Sequence, residues 1–161
     1  MRRTRRTTVG ALLLLLAATT TTAQQTADKA DALSEAARKG DVAAVRKLLD
    51  EGVDVNTKFR YNRTALSFAA DRGHVDVVKL LLERGADVNV KDTFYSATAL
   101  TWAIGPAMER KPAHTEVVAL LLRHGGIAPD DLSAALDQAA RQKLTDVVAM
   151  LERAGAKRKE K

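Results

Sequence analysis

The stretch Arg63-Thr64-Ala65-Leu66-Ser67-Phe68-Ala69-Ala70-Asp71-Arg72-Gly73-His74-Val75-Asp76-Val77-Val78-Lys79-Leu80-Leu81-Leu82-Glu83-Arg84-Gly85-Ala86-Asp87-Val88-Asn89 reads as one whole structural unit. Shifted back by 33 positions, Leu66, Ala69, Ala70, Gly73, Val75, Val78, Leu81, Leu82, Gly85, Asp87, Val88 and Asn89 fall on Leu33, Ala36, Ala37, Gly40, Val42, Val45, Leu48, Leu49, Gly52, Asp54, Val55 and Asn56. A third copy runs from Thr98 to Ile127, and a fourth is carried by Leu136, Ala139, Ala140, Val147, Val148, Leu151 and Gly155. Self-similarity at this period marks an array of stacked units, each burying its apolar faces against its neighbours.

Within each copy the residue types suit two short helices. Ala69, Ala70, Ala103 and Ala139 are small where two helices would cross closely, and the Val and Leu positions would fill the seams between units. Thr64 and Thr98 suit helix N-caps, their hydroxyls satisfying first-turn N–H groups. Gly52, Gly85, Gly125 and Gly155 each follow a leucine-rich helix, where a left-handed residue is wanted, and Gly40 and Gly73 mark the turn between paired helices.

The unit resembles the ankyrin repeat. Thr64-Ala65-Leu66-Ser67-Phe68-Ala69-Ala70 stands where that family has T-P-L-H-x-A-A, and Gly73-His74, Val77–Leu82 and Gly85-Ala86-Asp87-Val88-Asn89 match the remainder. Ala65 departs from the usual proline, and Ser67 and Thr101 depart from the usual histidine. The resemblance implies an all-α repeat solenoid: an ankyrin stack of helix–loop–helix units with β-hairpin-like fingers, in a domain over residues 24–156. The repeats fall near 28–56, 61–89, 95–127 and 131–156, with 157–161 a basic tail.

Both ends of the array read as polar caps. Glu152 takes the position of Leu49, Leu82 and Leu122, and Asp28, Lys29, Asp31, Glu35, Arg38 and Lys39 sit among the alanines of the first helix. The expectation is a complete short array. Between the helices of the third repeat, Gly105–Ala113 holds an insertion with two prolines, expected to project as a loop or to extend the first helix briefly.

Outward from the array, residues 1–23 have the order of a secretory signal: the basic Met1–Arg6, the apolar run Val9–Ala18, then Thr19–Ala23. An apolar run this short falls well below the ~20 residues that span a bilayer, so no stable membrane span is expected after removal of the signal. Cleavage is expected after Ala23, and the Ala/Thr-rich leader ending Ala-Gln-Gln has a bacterial style, so the chain is expected to be exported, periplasmic or extracellular. Thr4-Arg5-Arg6 begins like a twin-arginine signal, but Thr8 stands where a bulky apolar residue is usual.

The formal charge of +6 suggests nucleic acid until it is located. Four arginines lie in the leader, leaving +2 from Gln24 onward; the tail supplies +3, so residues 24–156 carry −1. No basic face runs along the body, which argues against nucleic-acid binding.

Little chemistry is spelled out. The chain lacks cysteine, which removes disulfides, thiolate metal sites and cysteine nucleophiles. His74, His114 and His124 show no i, i+4 pairing, so capping or surface roles are expected in place of metal binding. No nucleophile-elbow, dinucleotide or phosphate-loop motif occurs, Glu109 and Glu116 read as solvated, and the sequon Asn62-Arg63-Thr64 is explained by the Thr64 cap. The reading is a non-enzyme with no catalytic residue, no metal and no cofactor.

Binding leaves a clearer trace. Four of six aromatics, Phe59, Tyr61, Phe94 and Tyr95, sit in the two segments linking successive repeats, with Lys58, Arg60, Arg63 and Lys91 around them. In ankyrin proteins these segments form fingers beside the groove that receives a partner, and exposed rings are enriched at interface hot spots. Phe59, Arg60, Tyr61, Arg63, Phe94, Tyr95, Thr101 and Trp102 are therefore the expected partner-binding residues, in a monomer that binds a protein partner with an acidic face. Phe59 and Phe94 could instead pack on neighbouring fingers, and Trp102 could belong to the core. An effector or toxin-related factor acting on a host or competitor protein is the alternative, and a stress-related scaffold a third reading.

Overall fold

The computed structural model describes residues 9–105 and 112–158, with side chains from residue 24 onward. Eight α-helices follow in order: α1 (Val9–Lys39), α2 (Val42–Asp50), α3 (Ala65–Arg72), α4 (Val75–Glu83), α5 (Ala99–Ile104), α6 (Pro112–His124), α7 (Pro129–Arg141) and α8 (Thr145–Arg153). They pair as four hairpins, one for each copy in the sequence. The odd-numbered helices pack in a row, α1 on α3, α3 on α5 and α5 on α7; α2, α4, α6 and α8 form the second row in the same order. The core runs continuously through both rows. Leu33, Leu66, Leu100 and Leu136, four copies of one position, are all buried. The apolar run Val9–Ala18 lies at the start of α1, which is a single helix as far as Lys39.

Local chemistry sets the helix ends. Thr64 caps α3 in a reciprocal box: its Oγ1 accepts from the Ser67 N–H at 3.3 Å, and Ser67 Oγ accepts from the Thr64 N–H at 3.0 Å. Thr98 corrects the parallel expectation. It occupies the cap position of α5, but its hydroxyl caps nothing and is buried without a partner. Thr101, the β-branched counterpart of Ser67, donates to the Thr98 carbonyl at 3.0 Å yet returns no bond to the cap N–H. The first helix of the third repeat stops at Ile104, with Gly105 at its C-cap. The rest of the insertion, residues 106–111, lies outside the described residues, as do Met1–Thr8 and the tail from residue 159.

Ties between repeats are as regular as the helices. Asn56 Oδ1 accepts from the Asp87 N–H at 2.8 Å, and Asn89 Oδ1 accepts from the Ala128 N–H at 3.0 Å, so each Asp-Val-Asn segment holds the next loop. Two histidines do the same on the helical side. His74 Nε2–H donates to the Arg38 carbonyl at 2.9 Å, and His114 Nε2–H donates to the Asp71 carbonyl at 3.0 Å. Each ring reaches back one repeat and lies over the glycine of the preceding helical turn. A Cβ on Gly40 would stand 2.6 Å from His74, and one on Gly73 would stand 3.0 Å from His114.

The fingers are turns more than strands: no strand occurs among the described residues. Each finger closes on one antiparallel backbone bond, Phe59 N–H to Arg63 O at 2.8 Å and Asp92 N–H to Ala97 O at 3.0 Å. A third bond, Thr93 N–H to Tyr61 O at 2.9 Å, joins the two fingers. Left-handed residues at the tips, Tyr61 and Asn62 in one and Ser96 in the other, interrupt any longer ladder.

Candidate binding surface

Sequence positions 33 or 34 apart become spatial neighbours in this stack, which brings Tyr61 to Phe94, and the contact continues along the second finger to Tyr95 and Trp102. Tyr61 meets Phe94 edge-on at 5.7 Å between centroids, Phe94 meets Tyr95 at 4.6 Å, and Tyr95 meets Trp102 at 5.7 Å. These spacings are those of favourable edge-to-face pairs. Phe94 and Tyr95 are 66% and 68% exposed and Tyr61 is 47% exposed, so this is an aromatic surface and not a core. Phe59 goes the other way. It is half-buried, packed on Phe68 at 6.0 Å, and belongs with the hydrophobic core.

Arg63 is the pivot of the surface. Its guanidinium lies 4.3 Å from the Phe68 ring centroid and 4.0 Å from that of Trp102, sandwiched between rings of consecutive repeats. The same group donates to the Ser67 carbonyl at 3.1 Å and to Asp71 Oδ2 at 3.2 Å. Burial pushes its pKa down and Asp71 pulls it back up, with Arg38 adding to the downward push. The sequence places Arg63 among the partner contacts; the structure uses its donors internally, to fix the rings that a partner would meet.

Asp92 does for the second finger what Arg63 does for the groove, and sequence reasoning missed it. One oxygen accepts from the Phe94 and Tyr95 N–H groups at 2.8 and 2.6 Å; the other accepts from the Ala97 N–H at 3.0 Å and from Trp102 Nε1 at 3.1 Å. Burial raises the carboxyl pKa, but these four donors outweigh burial and leave it below the usual aspartate value. The available signal was Asp92-Thr93 at the start of a linker, the spelling of an Asx turn.

Strain is stored at the first tip. Tyr61 has φ 60°, ψ 29°, a left-handed conformation that costs a non-glycine residue about 1–2 kcal/mol. It is held by the Thr93 bond to its carbonyl and by Asn62 Nδ2, which donates to the Lys91 carbonyl at 2.6 Å. Strain maintained by surrounding contacts is a feature of binding sites.

Three open depressions join into one trough along the fingers and inner helices. The first, of 330 Å³, is lined by Arg38, Arg60, Tyr61, Arg63, Phe68 and Arg72. The second, of 260 Å³, shares Tyr61 and Arg63 and adds Asp92, Phe94, Tyr95 and Trp102. The third, of 510 Å³, shares Tyr95 and Trp102 and reaches Thr101, Gln138 and Gln142. The predicted residues Arg60, Tyr61, Arg63, Phe94, Tyr95, Thr101 and Trp102 all line it. Lys91, expected to add positive charge here, is instead paired with Asp131 at 2.7 Å. Among the described residues no group of three or more metal-ligating side chains comes together.

Two family models match the chain. One, described as ankyrin repeats (3 copies), covers residues 6–92, and another, described as ankyrin repeats (many copies), covers residues 66–122. None of the curated proteins compared matches it. With four helical hairpins in register, a shared leucine position through all of them and a family model spanning more than half its length, the chain belongs to the ankyrin-repeat family.

Proposed function

We propose that the chain is an exported, non-catalytic protein-binding module, which receives its partner along the trough between the fingers and the inner helices. Ankyrin repeats generally mediate protein–protein interaction, which supplies the class. The observation that carries the site is the run of exposed rings Tyr61–Phe94–Tyr95 ending on half-buried Trp102, held in place from beneath by Arg63 and Asp92. Rings that are exposed but already fixed lose little freedom on binding, so most of the area they bury counts toward affinity.

Tyr61→Ala and Tyr95→Ala should each weaken capture of the native partner by more than about 1 kcal/mol, roughly fivefold or more. Thermal stability should change little, since both side chains are exposed and neither belongs to the hydrophobic core. Lys79→Ala and Glu83→Ala, exposed on α4, should leave capture intact. Normal binding by both tyrosine variants would remove the trough as the site.

Export rests on the leader alone. From Gln24 onward, Gln24–Asp28 are exposed and the first fully buried position is Leu33, so cleavage after Ala23 keeps every side chain of the described core. Intact-mass measurement of the extracytoplasmic protein should give a chain beginning at Gln24; a full-length chain in the cytosol would refute this.

A further inference from the structure

The first depression of the trough holds more positive charge than the fold uses. Arg38 lies 4.1 Å over the Phe68 ring and Arg60 lies 4.8 Å over the Tyr61 ring, and Arg72 lines the same hollow. Arg63 has Asp71 as a partner. Arg38, Arg60 and Arg72 form no ion pair with any carboxylate among the described residues. A guanidinium resting on a ring face is orientationally restrained while its in-plane N–H donors stay available, the condition for bidentate capture of a carboxylate.

We propose that this hollow is a carboxylate-binding site, which selects a partner segment rich in Asp and Glu and carrying an apolar side chain for the adjoining aromatic cleft. The two halves of that requirement follow from continuity: Tyr61 and Arg63 line both depressions, so one extended segment meets the arginines and then the rings. A nucleic acid fits the same surface poorly. Its phosphates recur along the strand and call for a basic groove that tracks them. Here three unpaired arginines share one hollow of 330 Å³, and the trough beyond it is lined by aromatic rings and the Gln138 and Gln142 amides, with Arg141 a single further cation in the third depression. Outside the tail, residues 24–156 carry a slight negative charge.

This inference rests on the protein-binding reading but fails separately from it. The probes are the labelled peptide Glu-Asp-Glu-Leu-Phe-Glu-Asp-Glu, its Gln/Asn counterpart and a labelled single-stranded oligonucleotide of similar length. Binding is read by fluorescence anisotropy, with protein expressed from the full-length gene and purified as the cell leaves it. The acidic peptide should bind and the neutral one should not. The triple variant Arg38→Gln, Arg60→Gln, Arg72→Gln should lose about tenfold or more in affinity. The double variant Arg60→Gln, Arg72→Gln leaves the Arg38–Phe68 stack intact, guards against a folding defect, and should still lose several-fold. Arg46→Gln, Lys79→Gln, Lys143→Gln removes equal charge elsewhere and should bind as the parent does. Equal losses in the control triple, or tighter binding of the oligonucleotide than of the acidic peptide, would overturn the assignment. If the tyrosine variants lose the native partner and the arginine variants keep it, the carboxylate site falls while the protein-binding reading stands.

Discussion

Gly73→Val should destabilise the stack by about 3–5 kcal/mol, two or three times the effect of Gly85→Val. Both glycines are left-handed, with φ of 71° and 81°, so both variants incur the penalty of about 1–2 kcal/mol that a side chain meets in that region. The surroundings then separate them. A Cβ at Gly85 enters open space, whereas one at Gly73 meets the His114 ring at 3.0 Å. That ring is 5% exposed and hydrogen-bonded to Asp71 O, so it has little room to yield. Displacing it adds the about 1–3 kcal/mol typical of overpacking and endangers a bond worth about 1 kcal/mol. Gly73 also sits at the junction of the second and third repeats, where a lost contact uncouples both halves of an array stabilised by nearest neighbours. Urea unfolding of the two variants, with Lys79→Ala as an exposed control, measures the difference. In a His114→Ala background the cost of Gly73→Val should fall to that of Gly85→Val. Equal costs in the parent background would mean that the histidine is no tie.

What the sequence discloses and what it hides divides by range. The Thr64 cap and the glycine after α4 are decided within one helical turn, so residue type alone announces them. The clustering of Tyr61, Phe94, Tyr95 and Trp102 was half legible: a period near 33 makes neighbours of equivalent positions, but which rings face outward was not. Phe59 and Phe94 are alike in the sequence, yet Phe68 beneath the first finger draws Phe59 inward while Phe94 stays in solvent. Roles that depend on another repeat were hidden altogether. Arg63 looks like a surface cation until Trp102, from the following repeat, is placed on it. His74 and His114 look like caps until the carbonyls of Arg38 and Asp71 come within reach. Thr98 misled in the opposite sense: its spelling matches Thr64, and one methyl group separates Thr101 from Ser67.

Asp92→Asn should unlock the second finger and cost about 2–4 kcal/mol, although the two side chains have nearly the same shape. The carboxylate accepts four hydrogen bonds, two at each oxygen, from Phe94 N, Tyr95 N, Ala97 N and Trp102 Nε1. An amide keeps one acceptor oxygen and turns an NH₂ group toward the other pair of donors, leaving two part-buried donors unsatisfied, each toward the lower end of the about 1–3 kcal/mol that such a group costs. Acid should mimic the substitution. Because the folded-state pKa is depressed below the usual value near 3.9, folding favours the ionised form. The stability this contributes is full above about pH 4 and is lost as pH falls through the folded pKa. Trp102 is the only tryptophan, so its fluorescence reports the bond directly. The parent should show an emission change below about pH 4 that Asp92→Asn lacks, having undergone it already at neutral pH. The consequence reaches the binding surface. Tyr95 and Trp102 hold their edge-on contact because the Asp92 carboxylate fixes the backbone of one and the indole of the other. Asp92→Asn should therefore weaken partner capture with Tyr95 still present, while leaving helix content near that of the parent. A variant that keeps both its Trp102 emission and its capture would show that the rings set themselves, and that the carboxylate only closes the turn.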